Sequence, residues 1–275
     1  MNDGTDGKSA AVGPAFCLDH LSLGDLDVLT LVDVAAAAGF AAVSPFVTPV
    51  PISPTPDLLT DGAARTAVLR ALRDNGLGVG IVEPFMLDAR PDWSLLERSA
   101  GLAAELGGTV NLLGMDENPA RLLDALGRMI AICRATGVPV ILEPYPLSAI
   151  RSPAQALAIA AQLGADVGLC IDSLHVMRSG GNWADVAALP PDRIRHVQLN
   201  DGPLAPPADR VEEAVFDRLL PGEGAFDLRA LLPLIPAQAT IAVEVPSRKL
   251  AGQVPHARAA RLMQAMRDLY ADSGD

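Results

Sequence analysis

Glu83, Glu143, Asp172, His175, Gln198, Asp201 and Glu244 share one feature: each stands at or near the end of a short run of otherwise apolar residues. The runs read GVGIVEPF (78–85), PVILEPY (139–145), VGLCIDSLH (167–175), RIRHVQLND (193–201) and TIAVEVPS (240–247). A carboxylate among apolar neighbours is costly unless it is paired or coordinated to a metal. Glu143, Asp172, Gln198 and Glu244 supply oxygen donors and no thiolate. Such a set suits one hard divalent ion, Mn2+ or Mg2+, with Co2+ and Zn2+ as alternatives. The chemistry open to it is polarisation of a substrate carbonyl and its neighbouring hydroxyl, which makes the C–H between them acidic.

Such residues work together only if the chain brings them to one place. Three further runs, AFCLDHL (15–21), AAVSPF (41–46) and TVNLLG (109–114), make eight strand expectations in all. Helical patterns alternate with them at 27–38, 62–75, 91–106, 117–136, 153–163, 182–188, 227–235 and 254–271. Gly39, Gly76, Gly107, Gly137 and Gly164 fall just past the last periodic residue of a helix, where a left-handed cap needs no Cβ. Regular strand–helix–glycine alternation implies parallel strands with crossover helices. Eight units close a single (β/α)8 TIM barrel of class α/β, and no GxGxxG turn follows the first strand to suggest a doubly wound sheet. Barrel active sites lie at the C-terminal strand ends, so Glu143, Asp172, Gln198 and Glu244, from strands five to eight, converge on one mouth. His20, ending strand one, also lines it. Two segments after strands, 45–58 and 202–223, are longer than connections require and are expected either as lids over the mouth or as tolerated insertions.

The 275 residues suffice for one barrel core, expected over 14–275, with 1–13 as a flexible polar tail rather than a signal peptide. With 33 acidic against 21 basic residues the formal charge is −12, which disfavours nucleic acid and anionic lipid as partners. No apolar run is long enough to span a membrane. Cys17, Cys133 and Cys170 are scattered, odd in number and without a surrounding motif. They read as buried reduced thiols of a cytoplasmic protein.

The segments ILEPY (141–145), CIDSLHVMRSGG (170–181), RHVQLND (195–201), RLLPGEGAFDL (218–228) and AVEVPS (242–247) occur in the order found in the xylose-isomerase-like barrel superfamily, which the chain resembles. That superfamily contains ketose 3-epimerases, hydroxypyruvate isomerase, inosose dehydratase, dehydroshikimate dehydratase and endonuclease IV. The resemblance implies that Glu143, Asp172 and Glu244 ligate the metal. It places Gln198 where epimerases carry the second histidine of an HxH strand; glutamine there occurs in some members, dehydratases among them. It matches His175 to a DxxH motif and Arg218 to the arginine before PGxG, both substrate-contacting. Packing is the alternative for His175 and a surface ion pair for Arg218. Glu83 is expected either to contact substrate or to pair with a cation, and Asp201 to support the metal or to cap a loop.

The resemblance implies a mechanism in which Glu143 and Glu244 flank the substrate as acid and base of an enediolate reaction. The expected activity is isomerisation or epimerisation of a sugar, keto-sugar or related polyol. Where a hydroxyl lies β to the carbanion the same intermediate loses water, so a dehydratase of the inosose or dehydroshikimate type is the alternative. A non-catalytic metal- or sugar-binding barrel is a third reading, which the retained buried acids disfavour. Four histidines cannot build a trinuclear zinc nuclease, and the acidic surface lacks a DNA footprint. The expected partner is therefore a small carbohydrate-like substrate, with a homo-oligomer left open.

Overall fold

The computed structural model describes residues 14–271, so the tail expected at 1–13 lies outside the described residues. Nine strands run β1 (Phe16–Asp19), β2 (Ala42–Ser44), β3 (Gly78–Val79), β4 (Ile81–Leu87), β5 (Thr109–Gly114), β6 (Val140–Glu143), β7 (Gly168–Asp172), β8 (Ile194–Leu199) and β9 (Thr240–Val243). Every ladder is parallel, in the order β3-β2-β1-β9-β8-β7-β6-β5-β4. β3 and β4 are the two halves of the third expected strand, parted at Gly80. β3 pairs with β2 and β4 with β5, while Val47 N–H donates to the Glu83 carbonyl at 3.0 Å and a Phe46–Glu83 bridge links the two edges. The barrel is thereby nearly closed. Gly80 is needed at the break, since a Cβ there would stand 2.8 Å from Ser44 Oγ and 2.9 Å from Cys17 Sγ inside the barrel.

Between the strands lie the expected helices, among them Val28–Ala38, Gly62–Asn75, Trp93–Leu106, Pro119–Thr136, Pro153–Leu163 and Pro255–Ala271. Asp27, Asp61, Asp92, Asn118 and Ser152 accept first-turn backbone N–H groups, satisfying donors that a helix start leaves unpaired. Gly39, Gly76, Gly107 and Gly137 end their helices in the left-handed conformation, as expected. Gly164 does not: at φ 150° and ψ 158° it leaves the helix extended, and a Cβ would collide with the Arg134 guanidinium. The inner helix faces and outer strand faces form one continuous apolar cluster, while Ile81, Ile141 and Cys170 pack separately inside the barrel. All three cysteines are free and buried. Among the described residues no helix is long and apolar enough to cross a membrane.

Two elements depart from the expectation. The run 167–175 was expected as strand throughout, but β7 stops at Asp172, whose Oδ1 accepts His175 N–H at 3.1 Å and starts the helix Ser173–Arg178. The segment 202–223 is not loop alone: it contains the helix Arg210–Phe216, capped by Asp209.

Candidate metal centre and active-site mouth

The parallel register sets the carboxylates level. Asp172 is paired with Gln198 across β7 and β8, and Leu199, one residue on, with Val243 across β8 and β9, so that Glu244 follows at the rim. Glu143 ends β6. The structure brings Glu83, Glu143, His175, Arg218 and Glu244 around one cavity of about 350 Å³ at the C-terminal strand ends. Its upper walls are apolar, from Leu21, Phe46, Pro84, Met86 and Tyr145. Both long segments contribute: Val50, Pro51 and Ile52 from 45–58, and Ala214 and Val215 from the helix Arg210–Phe216. They form walls of the mouth.

Asp172 is wholly buried and its carboxylate fully engaged. Arg218 Nη1 donates to Oδ2 at 2.7 Å, and Asn200 Nδ2 lies 3.2 and 3.1 Å from the two oxygens. Burial raises its pKa, but Arg218, His175 and the Asn200 hydrogen bond more than reverse this and bring it to about 2. Arg218 Nη1 reaches Glu244 Oε2 at 2.8 Å as well, so one guanidinium bridges two of the expected ligands. Its Nε donates to the Ala214 carbonyl at 2.8 Å. Arg218 is 2% exposed, which disposes of the surface ion pair as its alternative.

His175 Nε2 lies 3.3 Å from Glu143 Oε1, and its ring meets Tyr145 at 4.7 Å between centroids. Glu143, Asp172 and His175 offer donor atoms all within 4.8 Å of one another. His175, expected at the substrate, thus stands close enough to share an ion with two expected ligands. Gln198 is 1% exposed; its Nε2 donates to Asp19 Oδ2 at 2.9 Å and its Oε1 accepts from Cys170 Sγ at 3.2 Å. Glu83 is joined to Glu143 by Asn111, whose Nδ2 donates to both carboxylates. Burial, then Glu143 and Asp19, push the Glu83 carboxyl up to about 8.

His20 does not line the cavity. Its Nδ1 accepts from Phe46 N–H at 3.1 Å, its Nε2 sits 3.0 Å from the Leu26 carbonyl, and its ring stacks on Phe46. It fastens the start of the 45–58 segment, and burial lowers its pKa to about 4. Asp201 likewise has structural duty: its carboxylate accepts from the backbone N–H groups of Gly202, Gly222 and Phe226, closing the PGEG turn.

The residues fit a divalent cation. Four buried carboxylates, those of Glu83, Glu143, Asp172 and Glu244, each interact electrostatically with Arg218. Burial and the neighbouring acids push Glu244 well above the ordinary carboxylate range despite Arg218 beside it. One guanidinium does not balance this cup, and a divalent ion held here would supply further positive charge.

Residues 32–269 match the family described as xylose isomerase-like TIM barrel. The chain belongs to that family. It is 31% identical over 219 residues to a 3-dehydroshikimate dehydratase of Pseudomonas aeruginosa, a match that takes in 72% of this chain and 32% of the relative. The chain therefore spans about a third of the length of that curated relative. Among solved structures, a xylose isomerase-like TIM barrel/4-hydroxyphenylpyruvate dioxygenase fusion protein superposes with a TM-score of 0.79 at 21% identity, over 94% of this chain and 43% of the other. The IOLI protein with a zinc atom gives 0.75 at 16% identity, covering 94% and 98%. A D-psicose 3-epimerase from Clostridium cellulolyticum H10 gives 0.66 at 11%, covering 94% and 99%. The last three establish the fold alone.

Sequence reading missed Asp19, Asn111 and Asn200. Asn111 lies in mid-strand rather than at a strand end, and Asn200 follows β8 beside the residues already singled out. Asp19 carried a usable signal, since it is the last residue of β1, one place before the His20 chosen instead.

Proposed function

We propose that this family member is a divalent-metal-dependent lyase that removes water from a cyclic hydroxy-ketone acid of the dehydroshikimate type. The observation that carries the choice is the 31% identity to a 3-dehydroshikimate dehydratase, the relative that spans most of this chain. Gln198 in place of a histidine agrees with it. Glu143, Asp172, Gln198 and Glu244 would hold the ion, which supplies positive charge for the oxygen of a developing enolate.

A carboxylate that gives its charge to a cation is a weakened base. His175, outside the proposed ligand set, can carry a proton, and Glu143 at 3.3 Å would steady the imidazolium that results. His175 takes the proton from the carbon next to the carbonyl; the electron pair then expels the hydroxyl on the adjacent carbon, which leaves as water with a proton from the Glu83 side. Arg218 holds Asp172 and Glu244 in place during this exchange. The apolar walls keep bulk water from the carbanion.

Isomerisation or epimerisation is a second reading, favoured by the position of Glu143 at the end of β6 and of Glu244 just after β9, on either side of β7 and β8. The test is incubation with Mn2+ or Mg2+ in deuterated water against 3-dehydroshikimate, inososes and ketoses. Water loss from the first should give a conjugated, then aromatic, acid visible in the ultraviolet. Deuterium entry into a ketose with inversion or carbonyl migration, and no water loss anywhere, would replace the lyase by the isomerase.

A further inference from the structure

Asp19 lies beneath the mouth and is fully buried, yet no step above uses it. Its Oδ2 accepts from Gln198 Nε2 at 2.9 Å and lies 3.5 Å from His196 Nε2, while Cys17 Sγ approaches Oδ1 at 3.7 Å. A primary amide differs from the imidazole it replaces on this strand in one respect that matters for a cation. Its two ends are nearly the same size and opposite in polarity, so a rotation of half a turn about its last bond exchanges a ligand for a repelling N–H2 group. Nothing in β8 itself prevents that rotation. Asp19 does, because a carboxylate accepts and cannot donate, and therefore holds the N–H2 end of Gln198. Cys170 holds the other end from the opposite side, its Sγ–H donating to Oε1 at 3.2 Å and leaving the second lone pair of that oxygen free.

We propose that Asp19 is the positioning residue that makes Gln198 a metal ligand, by fixing its amide with the oxygen toward the ion and the N–H2 away from it. The inference rests on the metal reading of the mouth, and it assigns to β1 a part in the site that the other strands' carboxylates do not perform. Acceptance of a hydrogen bond, and not negative charge, is what the role requires.

That distinction sets the test. Mn2+ affinity is measured by calorimetry, and free Mn2+ by electron paramagnetic resonance, for the full chain and for Asp19→Asn, Asp19→Leu and Gln198→Leu. Asp19→Asn keeps an acceptor, since its own amide can turn an oxygen to Gln198; its affinity should stay within about threefold. Asp19→Leu is of similar size and has no acceptor; its affinity should fall about 10- to 100-fold, the usual cost of losing a group that orients a ligand. Gln198→Leu should fall at least as far. Thermal unfolding in chelator checks that each variant is folded, and Asp19→Val, suited to a strand, serves if the leucine variant is not. Equal losses in Asp19→Asn and Asp19→Leu would mean that charge or direct ligation is at work and would overturn the proposal. So would no loss in either. Failure of the unaltered chain to bind Mn2+ would instead remove the metal reading itself.

Discussion

His175 and Glu143 are 3.3 Å apart and yet should fail differently when replaced. Glu143→Gln removes a charged ligand and should lower metal occupancy by at least tenfold. His175→Asn keeps the oxygen ligands; metal binding should stay within a few-fold while turnover at saturating Mn2+ falls about 100-fold or more, the contribution of one positioned proton carrier. Metal analysis and rate on the same preparations separate the two, and loss of both properties in His175→Asn would make the histidine a ligand. If Glu143→Gln saturated with Mn2+ loses turnover as deeply, the glutamate carries protons as well, as the paired-glutamate mechanism requires. At this scale the sequence was informative where a polar residue interrupts an apolar strand end, as at Glu143, Asp172 and Glu244. It misled at His20, because strand ends turn by one residue into alternate faces and Asp19, not His20, points to the axis.

The helix Ser173–Arg178 connects the site to its surroundings. It begins on Asp172 and carries His175 at its third position, and Arg178 at its end donates two hydrogen bonds to Glu213, at 2.7 and 2.6 Å, with both side chains 4% exposed. The same guanidinium donates to the Pro203 carbonyl at 2.7 Å, so the segment 202–223 is tied at its start and at its helix. Glu213 is followed by Ala214, which accepts from Arg218. Breaking a buried pair leaves an uncompensated charge, so Glu213→Gln should cost about 3–5 kcal/mol in urea unfolding, and Arg178→Met a similar amount. If the pair also positions the wall, KM should rise in the surviving folded protein with little loss of metal. Neither short helix was legible beforehand, for a physical reason. Six or seven residues give less than two turns of periodicity, and SLH continues the apolar character of β7 until the Asp172 side chain captures the backbone N–H of His175. The eight-strand rhythm was legible because each barrel unit repeats the same start and stop chemistry.

For the molecule as a whole, the barrel gathers acids at one end, and its stability should report whether an ion is there. Two buried groups, His20 and Glu83, are shifted so that they act on stability in opposite senses across neutral pH. His20 has a folded pKa of about 4, lowered by burial from 6.5, so the unfolded chain binds its proton first and stability is lost as pH falls from about 6.5 toward 4. Glu83 has a folded pKa of about 8, raised by burial and by Glu143 and Asp19 from 4.5, so the folded chain keeps the proton longer and stability is lost as pH rises from about 4.5 toward 8. Below pH 6.5 the histidine opposes Glu83; above 6.5 it no longer does, and the contributions of Glu83 and of Glu244, whose carboxyl is likewise raised by burial, are both lost as pH rises. In chelator, the melting temperature should therefore fall across pH 6.5 to 8, the Glu83 share of the loss amounting to on the order of 2 kcal/mol for 1.5 pH units of one proton. Glu83→Gln should make that limb shallower and uncover a loss of stability as pH falls below 6.5, while His20→Asn should extend the fall with rising pH down to about 4.5. Saturating Mn2+ should raise the melting temperature at every pH and most at pH 8, because a divalent ion favours the ionised cup that metal-free folding disfavours. Parallel profiles with and without Mn2+ would mean that the ion binds elsewhere than among these carboxylates.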